Sequence, residues 1–302
     1  MNITFRQLRL FLALADTGSV TAAAKRMHVT QPTASMQLKE ITQSIGLPLY
    51  EVISRKVYLT DVGKELAHTA REIAQAWEGF EQEVDGVKGL TRGKLRVAVV
   101  STAKYFMPRL IGSFCKKNPH IDVSLEILNR DGVVQRMLGN LDDLYIMSQP
   151  PVGIDLDDKT FMANPIVVIA ASSDPMSKQA SVALDQLASR RFILRENGSG
   201  TRMAADLFFK RKAFKPDVRL ELGSNEAIKE SVAGGLGIGV ISNHALHGLK
   251  KEHGVSIVAV DGFPIASNWH IVHPVSKKLT PVAAAFKRHL LQSVAPAKAL
   301  SV

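Results

Sequence analysis

The sequence has a single cysteine, Cys115, and lacks any apolar run long enough to cross a membrane. One cysteine excludes an internal disulfide and gives no reason to expect a zinc site. The first residues, MNITFRQLRLFLALADTG, are amphipathic and lack the basic and small-residue segments of a secretory signal peptide. The composition therefore indicates a globular, cytoplasmic protein with no bound metal and no membrane partner.

Signatures of catalysis are also missing. The glycine-rich run from Gly234 to Gly239 precedes a predicted strand and does not keep the spacing of a dinucleotide-binding loop. Its simpler use is close packing between a helix and a strand. His270 and His273 lie three residues apart on another predicted strand, so they face opposite sides and cannot bind one metal ion. Because no serine lies in a nucleophile elbow either, the sequence predicts neither an enzyme nor a cofactor.

Charge is distributed unevenly along the 302 residues, whose formal net charge is +10. Residues 1–60 carry seven Lys and Arg against three Asp and Glu, an excess that nucleic acid would explain. Residues 61–90 are acidic, and residues 91–302 are basic again. A lysine-rich surface is the simpler explanation of the positive charge of residues 91–302. A preference for anionic small molecules is the more specific explanation.

Three helix patterns open the chain. Thr4 and Gln7 form a capping-box pattern before an apolar stripe that Gly18 ends. Ser19 and Thr30 are the predicted caps of the second and third helices. The second helix is expected to pack closely on the third through small residues. Its predicted inward side chains are Ala22, Ala23 and Met27.

The third helix is predicted to bury one face and expose a polar one. Ala34, Leu38, Ile41 and Ile45 recur at helical spacing. An ordinary pair of packed helices is the simpler alternative to a helix-turn-helix, whose second helix enters the major groove of DNA. The basic tip of a hairpin over residues 52–59 favours DNA, since such a wing would lie against phosphates. The predicted DNA-binding residues are Gln31, Thr33 and Ser35 as base readers, Met36 as an apolar contact, Pro32 beside them, and Lys39, Arg55 and Lys56 as phosphate contacts.

Residues 61–88 are predicted to form one long helix. Ile73, Trp77, Phe80 and Val84 are spaced by four, three and four residues, which is the heptad spacing of a coiled-coil seam. A helix packed on its own domain is the alternative. The acidic residues that flank the narrow seam favour an exposed rod, so we expect these four residues to mediate dimerisation.

Strands and helices alternate after a hinge predicted from Gly89, Arg92 and Gly93. This alternation predicts a parallel α/β sheet in two lobes. The predicted strands are Leu95–Val100, Val123–Leu128, Leu144–Met147, Pro165–Ala171, Arg191–Leu194, Val218–Leu222, Ile238–Ile241, Ser256–Val260 and Trp269–Pro274. The predicted helices are Lys104–Lys116, Val133–Gly139, Thr201–Lys212, Ala227–Ala233 and Pro281–Leu291.

Several predicted strands end in hydroxyl, amide or glycine residues. Open α/β sheets bind ligands at the carboxyl ends of their strands, where helix N-termini offer N–H groups to an anion. A simple helix cap explains each end taken alone, but their number and the nearby Arg195 favour an anion site. The predicted effector-binding residues are Ser101, Thr102, Met147, Ser148, Gly198, Ser199, Gly200, Thr201, Arg202 and Asn225. The expected ligand is a sugar phosphate, a dinucleotide such as NADPH, or a small carboxylate.

Along nearly its whole length, the sequence resembles the LysR-type transcriptional regulators. The N-terminal resemblance lies in FRQLRLFLALADTGSVTAAAKRMHVTQPTAS and GLPLYEVISRKVYLTDVGKEL, with VAGGLGIGVIS adding weaker support downstream. The C-terminal half resembles the subgroup that regulates RuBisCO (carbon-fixation) operons. The segments concerned are LDDLYIMSQPP, LRENGSGTRMAADLFF and VDGFPIASNWHIVHPVSKKLTPVAAAF.

The resemblance implies an α/β fold class with three parts. A winged helix-turn-helix would occupy residues 1–60, a linker and dimerisation helix residues 61–88, and a hinge residues 89–93. A two-lobed effector domain like periplasmic binding proteins would follow. Lobe I would comprise 94–163 plus 268–302 and lobe II 164–267, with the chain crossing between them near Ala163 and Ala266.

The function that the resemblance implies is activation of carbon-fixation genes in response to an anionic metabolite. The expected partners are double-stranded promoter DNA, further copies of the chain in a homodimer or homotetramer, the metabolite and RNA polymerase. The alternatives are a LysR-type regulator of another pathway and a small-molecule binding protein that does not bind DNA. Three positions depart from the family pattern: Met36 replaces a basic or hydroxyl residue, Val52 an arginine and Thr42 a glutamate.

Overall fold

The structure is a computed structural model of the chain, and it describes residues 2–54, 56–87, 92–246 and 254–293. It divides into two compact units. The first unit consists of Met1–Val84 with Gly139–Leu141, and the second of Asp85–Leu138 with Asp142–Val302. No helix within these described ranges combines the length and the apolar character that a bilayer span requires.

Three helices open the first unit: α1 (Phe5–Thr17), α2 (Val20–Arg26) and α3 (Gln31–Ile45). Their predicted caps are confirmed. Thr4 and Gln7 form the capping box of α1, which Gly18 ends in the left-handed conformation at a φ of 62°. Ser19 and Thr30 each accept a backbone N–H with their side-chain oxygen at the starts of α2 and α3. Local sequence signals therefore fix where all three helices begin.

The core of the first unit lies between these helices. α2 contributes two fully buried alanines, Ala23 and Ala24, to this core. The expectation that Ala22 faces inward is wrong, because each residue turns a helix by about 100° and its two successors already occupy the buried face. From α3, Ala34, Leu38 and Ile41 are buried as predicted, and Ile45 is half-buried.

A hairpin and a long helix complete the first unit. The hairpin pairs β1 (Tyr50–Ile53) with β2 (Lys56–Leu59) in antiparallel register, and the helix is α4 (Asp61–Val87). Arg55, at the tip of this wing, lies outside the described residues. Gly63 permits α4 to start against the wing, since a Cβ there would lie 1.9 Å from the carbonyl oxygen of Leu49.

The second unit contains two five-stranded sheets, and each defines one lobe. Lobe I has the strand order β4-β3-β5-β12-β6, and lobe II has the order β11-β7-β10-β8-β9. The strands of lobe I are β3 (Arg92–Val100), β4 (His120–Leu128), β5 (Leu144–Met147), β6 (Leu156–Ala163) and β12 (Asn268–Pro274). Those of lobe II are β7 (Ile166–Ala171), β8 (Arg191–Arg195), β9 (Asp217–Leu222), β10 (Ile238–Ser242) and β11 (Val255–Val258).

Both sheets are mixed, so the predicted parallel arrangement holds for three strands of each sheet and not for the others. β3, β4 and β5 run parallel in lobe I, as do β8, β9 and β10 in lobe II. The strands that join the lobes reverse direction. β12 is antiparallel to β5 and β6, and β7 is antiparallel to β10 and β11.

One strand was not predicted, and one helix begins later than predicted. β6 reads LDDKTFMA and forms an edge of lobe I, where exposed charged residues replace the apolar run of a central strand. A short 3-10 helix, Ser101–Tyr105, follows β3, and α5 starts only at Met107 with Pro108 in its first turn. The helices of this unit are α5 (Met107–Lys117), α6 (Arg130–Leu138), α7 (Gly200–Arg211), α8 (Asn225–Ala233) and α9 (Pro281–Ser293).

The chain passes between the lobes on two neighbouring segments. It leaves lobe I after Ala163, enters β7 at Ile166, and returns to lobe I at Asn268. The N–H of Asn164 donates to the carbonyl oxygen of Ser267 at 2.7 Å, which ties the two segments together.

The predicted hinge before lobe I is described only in part. Residues 88–91 lie outside the described part of the chain. Arg92 and Gly93 are not hinge residues, because they pair with His120 and Ile121 as the start of β3.

Candidate functional site

The polar face of α3 is open to solvent. Gln31, Pro32, Ser35 and Lys39 are exposed, and Met36 exposes 56% of its surface. Thr33 is half-buried, and its hydroxyl lies 2.8 Å from that of the Thr30 cap. Five of the six predicted DNA-binding residues of α3 are therefore exposed, and the sixth, Thr33, is partly held by the cap.

The wing places an exposed lysine and exposed apolar residues near its tip. Lys56 begins β2 and is exposed, with Ser54 before it at a φ of 51°. Val52 is 61% exposed and Ile53 55%. The position where the family pattern has an arginine thus offers DNA an apolar surface, which releases no counterion on binding.

An apolar stripe runs along the exposed side of α4. Ile73, Trp77 and Phe80 expose 42%, 50% and 54% of their surfaces, and Val84 is half-buried. The ring of Trp77 lies 5.7 Å from that of Phe80, and its Nε1 donates to Glu81 at 2.7 Å. Large apolar side chains aligned on one exposed face are typical of a surface that another chain covers.

A cavity lies between the lobes of the second unit, at the carboxyl ends of β3 and β8. It encloses about 220 Å³, including its opening. This is the place where open α/β sheets bind ligands. The lining residues are Val100, Ser101, Thr102, Asn129, Arg130, Ser148, Arg195, Ser199, Gly200, Thr201 and Trp269.

The N-terminus of α7 opens onto this cavity with three hydroxyl groups beside it. Ser148, Ser199 and Thr201 are 6%, 3% and 5% exposed. Within the described residues, none of these hydroxyls makes a hydrogen bond, and the Ser199 side chain does not cap α7. A helix N-terminus offers free backbone N–H groups to an anion, so the three hydroxyls and α7 together form a set of donors.

Arg195 connects the two lobes at the wall of the cavity. Its side chain is 2% exposed, and its charge is balanced by Glu196, which it contacts at 2.8 and 2.9 Å. It also donates to Ser101 at 3.0 Å and to Asn225 at 3.3 Å. Asn225 in turn donates to Thr102 at 3.2 Å. Arg195 therefore positions the donors of both lobes instead of supplying a free charge.

A second set of interlobe contacts surrounds Glu226 on α8. Its carboxylate accepts hydrogen bonds from Tyr105 at 2.5 Å and from Lys104 at 2.9 Å. Burial by itself would raise the pKa of Glu226, but the hydrogen bonds from Tyr105 and Lys104 outweigh it and lower the pKa to about 2. The carboxylate is thus ionised at neutral pH and holds the lobes in the observed arrangement.

Six of the ten predicted effector-binding residues line the cavity: Ser101, Thr102, Ser148, Ser199, Gly200 and Thr201. Met147 does not, because its side chain is fully buried in the core of lobe I. Gly198 forms the tight turn before α7, where its φ is 83°. A Cβ there would lie 2.4 Å from a carboxylate oxygen of Asp131. The turn and the close approach explain this glycine without a ligand.

Arg202 and Asn225, also predicted to bind the effector, do not line the cavity. Arg202 contacts Asp206 at 3.0 Å and Glu221 at 2.9 Å, so its guanidinium fastens α7 to β9 and does not reach the cavity. Asn225 supports the cavity from behind through Thr102 and Arg195, and Ser224 caps α8 in its place.

Three lining residues carry no local sequence signal. Asn129 and Arg130 follow β4, and the Nε of Arg130 donates to the carbonyl oxygen of Gln149 at 2.6 Å. Trp269 lies at the start of β12, far away in sequence. Only the strand order of lobe I brings these segments beside Ser101, and that order is not visible in the sequence.

The motifs that suggested enzymes have structural uses. A Cβ at Gly239 would lie 3.0 Å from Ile169 and from Ile228, so the glycine-rich run serves close packing of α8 on lobe II, as predicted. His270 and His273 pair with different carboxylates, Asp158 and Asp157. Across the described residues, no His, Cys, Asp or Glu cluster is arranged to hold a metal ion.

Both units of the chain match known protein families. Residues 5–64 match the family described as bacterial regulatory helix-turn-helix protein, lysR family. Residues 88–295 match the LysR substrate binding domain. The chain belongs to the LysR family. Its members are DNA-binding transcriptional regulators and not enzymes.

Individual relatives extend this result. The HTH-type transcriptional activator CmpR of Synechocystis is 42% identical, over 96% of this chain and 95% of its own. A RuBisCO operon transcriptional regulator of Acidithiobacillus ferrooxidans is 39% identical, over 97% and 95% of the two chains. The Synechocystis CcmR regulatory domain, solved in complex with 2-PG (2-phosphoglycolate), is 43% identical over 67% of this chain and 98% of its own, with a TM-score of 0.66.

Proposed function

We propose that this LysR-family chain activates carbon-fixation genes in response to a small phosphorylated carboxylate, of which 2-phosphoglycolate is the first candidate. The regulatory target is supported by the names of its full-length relatives, an activator and a RuBisCO operon regulator. The ligand is supported by the regulatory domain solved with 2-PG, which is 43% identical.

The observation that carries the effector part is the cluster of Ser148, Ser199 and Thr201 at the N-terminus of α7. The three residues are almost fully buried, but their hydroxyl oxygens are not fully enclosed and make no hydrogen bond among the described residues, so they are available to a ligand in the cavity. Phosphate and carboxylate oxygens accept hydrogen bonds and carry negative charge. An anion at this place would accept from the hydroxyls and from the backbone N–H groups of α7.

The lining of the cavity restricts the ligand further. Lobe I contributes Ser101, Thr102 and Ser148, and lobe II contributes Ser199 and Thr201. A molecule with one anionic group at each end matches donors that come from both lobes.

The first unit would bind double-stranded promoter DNA through α3 and the wing. We propose that two copies pair through the stripe of Ile73, Trp77, Phe80 and Val84, which sets two reading helices on one operator. Pairs of such dimers would form the tetramer expected of the family. Contact with RNA polymerase stays a prediction.

DNA reading is tested by comparing Gln31→Ala with Lys56→Ala. Because Gln31 is exposed at the tip of α3, its loss is expected to reduce discrimination at one base pair by about 1–3 kcal/mol. Lys56 is a phosphate contact, so its loss is expected to weaken all DNA similarly and to lower the salt slope by about 0.9 for each lysine removed. Affinity for an operator and for its single-base variants, measured at several salt concentrations, separates the two effects. Equal, sequence-independent losses in both variants would contradict the assignment of α3 as the reading helix.

A further inference from the structure

Among the described residues that line the cavity, Trp269 is the only aromatic one. It is the second residue of β12, and its side chain is fully buried. Its ring lies 5.0 Å from Phe106 in an edge-on arrangement and 6.0 Å from His244. Packing by these two rings fixes the indole at the cavity wall.

The indole N–H of Trp269 is buried without a hydrogen-bond partner. Three other buried side-chain atoms in the described residues share this property, on Asp157, Asn164 and Ser267, but none of these residues lines the cavity. Trp Nε1 can only donate. A buried donor left unpaired is rare enough in native proteins to require an explanation.

Trp269 lines the same cavity as the hydroxyl cluster. The last pair of the β5–β12 ladder is His270 with Met147, so Trp269 and Ser148 lie just beyond that pair, at the same end of the two strands. Ser199 and Thr201 approach the same cavity from lobe II. A group bound at the N-terminus of α7 is thus within the neighbourhood of the indole.

We infer that Trp269 is a specificity-determining residue, whose indole N–H donates to an anionic oxygen of the effector. The inference rests on the proposed function, since it requires that an effector occupies this cavity. The oxygens of an ionised phosphate or carboxylate accept hydrogen bonds. A protonated amine carries only donors, so it cannot pair with the indole N–H. Trp269 would therefore select anions against cationic molecules of equal size.

The sequence itself provides a clean test, because the chain has only two tryptophans. Trp77 lies in the first unit, and its Nε1 already donates to Glu81. Of the two indole resonances of the full-length protein, the one that is absent from the Trp269→Phe variant belongs to Trp269. Its ¹H–¹⁵N indole resonance can then be followed during titration with 2-phosphoglycolate, inorganic phosphate and glycolate. The last two probes separate a phosphate acceptor from a carboxylate acceptor.

We expect the Trp269 indole proton to shift downfield and to saturate at the dissociation constant that calorimetry gives for the same protein. A shift with phosphate alone or with glycolate alone would identify the acceptor. Trp269→Phe keeps the ring but removes the donor, and it is expected to weaken 2-phosphoglycolate binding about tenfold or more, as for other hydrogen bonds to charged groups.

The possible failures are distinguishable. If the unaltered protein does not bind 2-phosphoglycolate, the proposed effector is wrong. If it binds, but the indole resonance of Trp269 does not move, the inference is wrong and the proposed function stands. Equal affinity in a folded Trp269→Phe variant would overturn the inference in the same way. Should that variant unfold, the titration of the unaltered protein decides alone, and the inference is wrong if neither of its two indole resonances moves.

Discussion

Thr201→Val is expected to weaken 2-phosphoglycolate binding by roughly 10- to 100-fold. The two side chains have nearly the same shape, so the substitution removes one hydroxyl from the first turn of α7 with little change in packing. Thr201 is 5% exposed, and its hydroxyl makes no bond within the described residues. A hydrogen bond to a charged group is worth about 1.5–3 kcal/mol, which sets the expected range. Titration calorimetry measures it directly.

Thr160→Val is the matched control for this experiment. Thr160 is exposed on the edge strand β6, outside the cavity, so the same chemical change there is expected to leave the affinity for 2-phosphoglycolate unaltered. Thermal melting of both variants shows whether they fold. An unchanged affinity in folded Thr201→Val would mean that the α7 N-terminus is not the anion site.

Phe80→Glu is expected to separate the dimer and to lower operator affinity by two orders of magnitude or more. Phe80 is 54% exposed in the middle of the α4 stripe, and a carboxylate there would be buried without a partner against a second copy. Two linked reading heads typically gain about 10²–10⁴ in affinity over one, and this gain disappears with the dimer. Sedimentation and a DNA titration report the two effects separately.

Gln82→Glu adds the same negative charge to the same helix without touching the stripe. Two residues turn a helix by about 200°, so position 82 faces away from Phe80. This variant is expected to keep both its association state and its operator affinity. A Phe80→Glu protein that sediments like the unaltered one would contradict dimerisation through α4, whatever its DNA affinity.

Local chemistry explains which parts of the fold the sequence predicts well. The caps at Thr4, Ser19 and Thr30 depend on hydrogen bonds between residues three positions apart, so short sequence patterns suffice to place them. The exposed face of α3 follows from helical periodicity in the same way. Ser101 and Thr201 were found because strand ends and helix starts are also local features.

Features that depend on long-range strand order are not visible in the sequence. β6 has charged residues because it is an edge strand, and its position is set only by pairing with β12. Arg130 and Trp269 reach the cavity through the same strand order. Arg202 shows the opposite error: an arginine in the first turn of α7 suggests an anion contact, but Asp206 and Glu221 already neutralise it.

The most direct test of the central claim is to recover genomic fragments bound by the purified full-length protein, with and without 2-phosphoglycolate, and to sequence them. We expect enrichment of fragments upstream of carbon-fixation genes, with occupancy or footprint changed by the ligand. Fragments upstream of other genes would keep the LysR-type regulator and refute the carbon-fixation target. A protein that enriches no fragment under either condition would contradict the account of α3 and the wing as a DNA-reading surface.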